Sequence, residues 1–450
     1  MTKHARRACL WLFLLLGLSL LPTLAMAGPR PPANKVHPLV LERLQAGASV
    51  EVLVVLKAQA DLSGAAALPT KEAKDRYVFE RLRSVAEETQ ADLRATLEAQ
   101  GIAYQPFIVV NALKLKAGGA VVHALAARSD VARIVPNPRI KAIPDQPTLA
   151  SSAAPGGIEP NLVRVHADEV WAEGYTGQGI VVAGQDTGYQ WDHPALKNQY
   201  RGWEGTAAEH DYNWHDAIHS GGGVCGADAP APCDDHGHGT HTMGIVGGDD
   251  GAGHQIGMAP GARWIGCRNM DRGVGTPATY LECFEFFLAP YPLDGSSEQG
   301  RPELSPDVVN NSWSCPPSEG CDAGTLEAAV EALRAAGIVV VVSAGNEGPG
   351  CQTVSAPPAI YRQSFSIGAF AFDLDLDIDQ IASFSSRGPV TYGGDTYTKP
   401  DLAAPGVGIL SSVRGGSYGS NSGTSMAAPH VAGAVALLLS AAPAYRGQVA

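Results

Sequence analysis

Ser425 stands in NSGTSMAAPHVAGAVALLLS (421–440), where a glycine-containing loop runs into an apolar helix with Pro429 expected in its first turn. A helix start leaves backbone N–H groups unpaired and carries partial positive charge, so an anion forming beside Ser425 would be stabilised there. A serine hydroxyl is a weak nucleophile until a base accepts its proton, and imidazole is the usual base near neutral pH. His238 and His241 lie in HGHGTHTMG (236–244), a second glycine-rich loop leading into a small-residue helix. Asp186 lies near the end of VVAGQDTG (181–188), where a carboxylate facing His238 would fix the imidazole tautomer and stabilise its cation. Asn346, in VVSAGNEG (341–348), would supply an amide donor to an oxyanion.

Each of these residues alone has a plainer reading. Ser425 could cap a helix, Asp186 and Asn346 could form turns, and His238 could be a satisfied structural histidine. A zinc site through His236, His238 and His241 lacks an HExxH pattern or a thiolate pair to complete it. The serine does not stand in GxSxG, and the glycines of GYTGQG (174–179) precede a strand instead of following it, which argues against a lipase-like hydrolase and a dinucleotide fold.

The elements that must position these groups are legible from periodicity. From 160 onward, β-branched runs at 179–186, 263–269, 307–313, 337–346 and 364–370 alternate with helical patterns near 239–247, 276–288, 323–335 and 425–440. Such alternation predicts an α/β fold, a parallel sheet with helices on both faces, and a site at the carboxyl ends of the strands. Asp186, Ser312 and Asn346 should therefore face one crevice. The chain before it reads as a strand (50–57), a long amphipathic helix (71–100), a strand (107–116), a short helix (120–128) and a strand (131–136), a small ferredoxin-like α+β domain without clustered catalytic residue types. A Pro/Ala/Ser/Gly-rich linker, roughly 143–157, follows.

DTG (186–188), HGTH (238–241), SAGN (343–346) and GTSMAAPHVAG (423–433) together resemble the motifs of subtilisin-like serine peptidases, in that family's order of Asp, His and Ser. NNSWSCPPSEGC and GTPATYLECFEFFLAP are similar to the bacillopeptidase F group of secreted bacterial members. The resemblance implies a secreted endopeptidase with Ser425 as nucleophile, His238 as base and then acid, Asp186 as its orienter, and Asn346 as oxyanion donor with the Ser425 backbone N–H. It implies that Ser312, Trp313 and Ser314 line the cleft and pair with substrate backbone, that His241 packs behind His238, and that Asp234 and Asp235 are loop residues near the cleft. It divides the chain into a signal peptide (1–27), an inhibitory and chaperoning propeptide (28–150) and a peptidase domain (151–450), and it implies a further helix or strand beyond Ala450. Protein or peptide substrates and the chain's own propeptide are the expected partners, and the expected state is a monomer. Catalysis needs no cofactor. Structural calcium occurs in relatives, but Ala195 in WDHPAL stands where many of them carry a ligating acid, so that site is doubtful, and no metal ligand is assigned. DLDLDIDQ (373–380) reads as a solvated edge strand in preference to a cation site. A catalytically inactive, peptide-binding member of the same fold is the competing expectation, and the presence of all four groups argues against it.

The ends and the composition set the compartment. Residues 1–27 have a basic start, an apolar run and small residues at Ala25 and Ala27, the pattern of a cleaved signal peptide. No other segment is expected to be long and apolar enough to span a bilayer. A net charge of −13 with no basic stretch argues against a nucleic-acid partner. Of eight cysteines one falls in the signal segment, leaving an odd number. The short spacings Cys225/Cys233 and Cys315/Cys321 could close small rings in an exported protein.

Overall fold

The computed structural model describes residues 35–142, 148–151 and 156–449. The expected signal segment and most of the expected linker lie outside them. Residues 148–151 form a strand paired with Ser417–Asn421, so that part of the linker is ordered by the neighbouring sheet.

The N-terminal unit runs β1 (Val50–Leu56), α1 (Lys71–Ala99), β2 (Tyr104–Phe107), β3 (Ala112–Ala117), α2 (Gly119–Ala127) and β4 (Val131–Pro136). Its sheet has the order β2-β3-β1-β4, every neighbouring pair antiparallel. Thr70 caps α1 by accepting the Ala73 N–H at 3.2 Å. β1 is apolar nearly throughout because both of its faces are covered. Val52 and Val54 meet Leu93, Leu97 and Val122 within the unit, while Leu53 and Val55 join a core that continues into Phe286 and Phe287 of the second unit. The apolar run 107–116, expected as one strand, is two strands joined by a turn. Asn111 causes the break: its side-chain amide donates to Ala58 O and to Thr89 Oγ1, each at 2.7 Å, which folds the chain back on itself.

The second unit is built on β6 (Val181–Asp186), α3 (His238–Gly247), β7 (Arg263–Arg268), β8 (Val274–Gly275), α4 (Pro277–Leu288), β9 (Val308–Asn311), α5 (Glu327–Ala335), β10 (Val339–Ser343), β11 (Phe365–Asp373) and α6 (Thr424–Ala441). Across the main sheet the order is Ile378–Ile381, β11, β10, β9, β6, β7, Trp214–Asp216, with Leu402–Pro405 also paired to β11. All these pairs are parallel except the edge strand Ile378–Ile381. Alternate strand residues serve opposite faces. Val182, Val308 and Val341 pack against α3 and α6, whereas Ala183, Val309, Val340 and Val342 pack against α4 and α5. Each large apolar side chain so enclosed contributes about 1.5–3 kcal/mol.

Two details of the second unit depart from expectation. α6 has 18 residues and a mean hydropathy of 1.4, enough by length and composition to cross a bilayer, yet 72% of it is buried in the molecule, so it is a core helix. Among the described residues the cysteines pair as Cys225–Cys233 and Cys315–Cys321, and also as Cys267–Cys283, which ties β7 to α4, leaving Cys351 as a free thiol. The acidic run 373–380 forms an edge hairpin in which Arg164 pairs with Asp377 and Asp379.

Candidate active site

Asp186 is the last residue of β6 and His238 the first of α3. His238 Nδ1 lies 2.7 and 2.9 Å from the two carboxylate oxygens of Asp186, and both side chains are buried. A nitrogen facing a carboxylate at that distance carries the proton, so the neutral ring keeps its lone pair on Nε2. The Thr187 N–H donates to Asp186 Oδ1 at 2.7 Å and fixes the plane of the carboxylate. The loops of Asp186 and His238 touch through glycines: a Cβ at Gly239 would collide with the Gly188 carbonyl, and Gly188 has φ +107°.

Asp234 holds the turn before His238. Its Oδ1 accepts from Thr187 Oγ1, His236 N and Gly237 N, and its Oδ2 from Thr240 N and Thr240 Oγ1, all between 2.6 and 3.0 Å. It stays a loop residue near the site, as expected, and is in addition a buried clamp between the two loops. Asp235 is also buried and accepts the Arg272 N–H at 2.9 Å. His241 is buried behind His238 with its Nε2 3.0 Å from Gly419 O, and burial pushes its pKa down to about 4.

Ser425 is the second residue of α6. Pro429 lies inside the helix, in its second turn instead of the first. It has no N–H to give to the carbonyl four residues back, which is that of Ser425. Ser312 Oγ donates to that carbonyl at 2.9 Å, and Ser425 Oγ donates to Ser312 O at 3.3 Å. Asn346 Oδ1 accepts both the N–H and the Oγ1 hydroxyl of Thr424, each at 2.9 Å. Because a backbone N–H can only donate, the atom facing it is the amide oxygen, and the Asn346 NH2 is turned the other way.

Beneath these groups a row of buried amides ties the strand ends together. Asn269 donates to Gln185 Oε1 and Gln185 to Asn311 Oδ1, each at 2.9 Å, and Asn311 donates to Val341 O at 3.0 Å. Asp186 and Ser312 each directly follow a member of that row in sequence.

The sequence model of the subtilase family matches residues 177–449. The chain belongs to the subtilase family. Bacillopeptidase F of Bacillus subtilis (strain 168) is 38% identical over 392 residues, 83% of this chain and 26% of the relative. Serine protease AprX of the same organism is 32% identical over 367 residues, 75% of this chain and 72% of the relative. Subtilisin E, also from that organism, is 29% identical over 297 residues, 66% and 63% of the two chains. The chain thus spans about a quarter of the length of bacillopeptidase F.

In this subtilase the segment 273–275, whose Gly273 lies against the His236 ring, pairs with the protein's own N-terminal chain. β5 (Ile140–Lys141) pairs antiparallel with β8, Gly275 opposite Ile140 and Val274 opposite Lys141, and the Ala142 N–H donates to Gly273 O at 2.7 Å. This segment was not anticipated from the sequence, where only the bare GVG signalled a place for close backbone approach. Trp313 is wholly buried, its ring 4.0 Å from that of Tyr280 and nearly parallel to it, so the indole belongs to the core and only its backbone can face a peptide. Ser314 is buried as well.

Ala195 stands where the resemblance places a calcium-ligating acid in many relatives. Ala195 packs with Ile256 and Tyr418 in an apolar cluster, and its carbonyl accepts the Asp249 N–H at 2.9 Å. The nearby Glu159 carboxylate is engaged by His254 Nε2 at 2.9 Å.

Proposed function

We propose that the protein is a secreted serine endopeptidase in which Ser425, His238 and Asp186 form the catalytic relay. Ser425 Oγ attacks the scissile carbonyl while His238 Nε2 takes its proton, and Asp186 stabilises the imidazolium through Nδ1. The tetrahedral oxyanion is received by Asn346 Nδ2 and the Ser425 backbone N–H, which as the second residue of a helix has no partner of its own in that helix. Collapse expels the amine with the proton held on His238, and water then hydrolyses the acyl-Ser425 ester by the same steps in reverse roles. No cofactor takes part.

The observation that carries this reading is the approach of His238 Nδ1 to both oxygens of a buried Asp186. That contact is of little use to a module that only binds peptides, since it places a carboxylate where a transient imidazolium needs one.

The N-terminal unit, with its ferredoxin-like strand order, acts in this reading as a propeptide: it covers α4 and sends β5 into the groove, which keeps proteins and peptides out until it is removed. The processed enzyme then acts as a monomer. A fluorophosphonate probe should label Ser425 in the processed protein, Ser425→Ala should abolish both labelling and casein hydrolysis, and labelling elsewhere would defeat the assignment.

A further inference from the structure

The loop closed by the Cys315–Cys321 disulfide and the residue after it present two carboxylates to the N-terminal unit. Asp322 Oδ1 pairs with Arg133 Nη1 at 2.6 Å. Glu319 Oε2 accepts the backbone N–H of Lys141 at 2.8 Å. In the antiparallel ladder the Ala142 N–H is turned toward β8, where it bonds Gly273 O. The N–H of Lys141, one residue earlier, must therefore point away from β8, and Glu319 meets it there. The side chains alternate too: Ile140 is buried and Lys141 exposed.

A peptide laid in this groove as an added strand would turn a backbone N–H toward Glu319 whatever its sequence. Its side chain at that position would be exposed, as that of Lys141 is, and would feel the carboxylate through space. Once the N-terminal unit leaves, Arg133 leaves with it, and Asp322 adds to the negative charge of the rim. On the turn that leads into β8, Asp271 and Arg272 pair with each other at 3.2 Å.

We propose that Glu319 is a specificity-determining residue of the peptide groove: it holds the bound chain's backbone N–H at the position of Lys141 and selects a basic over an acidic side chain there. The proposal rests on the peptidase reading only for what the groove receives.

The test uses a fluorescent peptide of sequence VPNPRIKA, residues 135–142, with Lys, Gln or Glu at the position of Lys141. Binding to the processed protein recovered from full-chain expression is followed by anisotropy, for the unaltered protein and for Glu319→Gln. The Lys peptide should bind about 3- to 10-fold tighter than the Glu peptide, the range of one partly exposed charge-assisted hydrogen bond. Glu319→Gln should weaken the Lys peptide by a similar factor and bring the three peptides within about twofold of one another. The same ranking in both proteins, or no binding, overturns the proposal. In the intact chain, Lys141→Glu should speed amide exchange across residues 139–142 about threefold or more, and unchanged exchange also overturns it. Glu319-dependent binding without casein hydrolysis would defeat the peptidase reading alone; casein hydrolysis with no Glu319 dependence would defeat this inference alone.

Discussion

Ser312 and Ser425 exchange hydrogen bonds, each hydroxyl donating to the other's backbone carbonyl, at 2.9 Å from Ser312 and 3.3 Å from Ser425. The exchange exists because Pro429 cannot satisfy the Ser425 carbonyl from within the helix. It joins the chain that follows β9 to the start of α6 and so holds Ser425 over the end of the sheet.

Ser312→Ala leaves the Ser425 carbonyl unsatisfied and should destabilise the protein by about 1 kcal/mol, read as a lower midpoint in urea. Turnover should fall a few-fold as Ser425 loses its fixed position, with KM nearly unchanged. A larger effect on KM than on turnover would mean that the hydroxyl acts on substrate instead.

Asn346→Ala removes the proposed side-chain donor to the oxyanion. In subtilisin, a relative, loss of such a donor costs about 10²–10³ in turnover, and the same range is expected here as a carry-over. Fluorophosphonate labelling should slow while peptide affinity persists. The variant also removes the acceptor of Thr424, so its melting curve should be recorded alongside.

Asp234→Ala would leave the five donors now facing that carboxylate without their acceptor. Buried donors left unpaired cost about 1–3 kcal/mol each, so a loss above roughly 3 kcal/mol is expected after relaxation. Asp234→Asn should recover part of the stability. If both variants melt with the parent, the clamp has no energetic weight.

Docking of the N-terminal unit should depend on pH through Glu285. Its Oε2 accepts the N–H groups of Ile108 and Val109 at 2.6 and 3.1 Å, and burial pushes its pKa up from 4.5 to about 7. The docked state therefore binds more protons than the undocked one between these values. Docking should be strongest below about pH 4.5 and weaken as pH rises to about 7, by roughly tenfold or more. The inhibition constant of the N-terminal unit added back to processed protein measures this, and Glu285→Gln should flatten the profile.

The motifs made the four candidate site groups legible because catalytic side chains must be particular types on particular glycine-rich turns. The strand-helix alternation was legible because a parallel sheet covered on both faces requires apolar runs. The break at Asn111 was not, since Phe107 through Val110 are as apolar as any strand and the partners of the Asn111 side chain, Ala58, Thr89 and Gln90, lie far from it in sequence. Asp234 escaped for the same reason: an acid in a polar loop looks solvated until the loop of Thr187 closes over it.

The sequence by itself determined which residues could do chemistry, which elements would carry them and which family the chain resembles, because periodicity and motif are local properties. Tertiary structure decided what holds those groups in place: the carbonyl of Ser425 served by Ser312, the turn of His238 clamped by Asp234, the pairing of Cys267 with Cys283, and β5 paired with β8. Each of these joins segments far apart in the chain, and a hydrogen bond or a disulfide depends on separation in space, which one-dimensional order does not record.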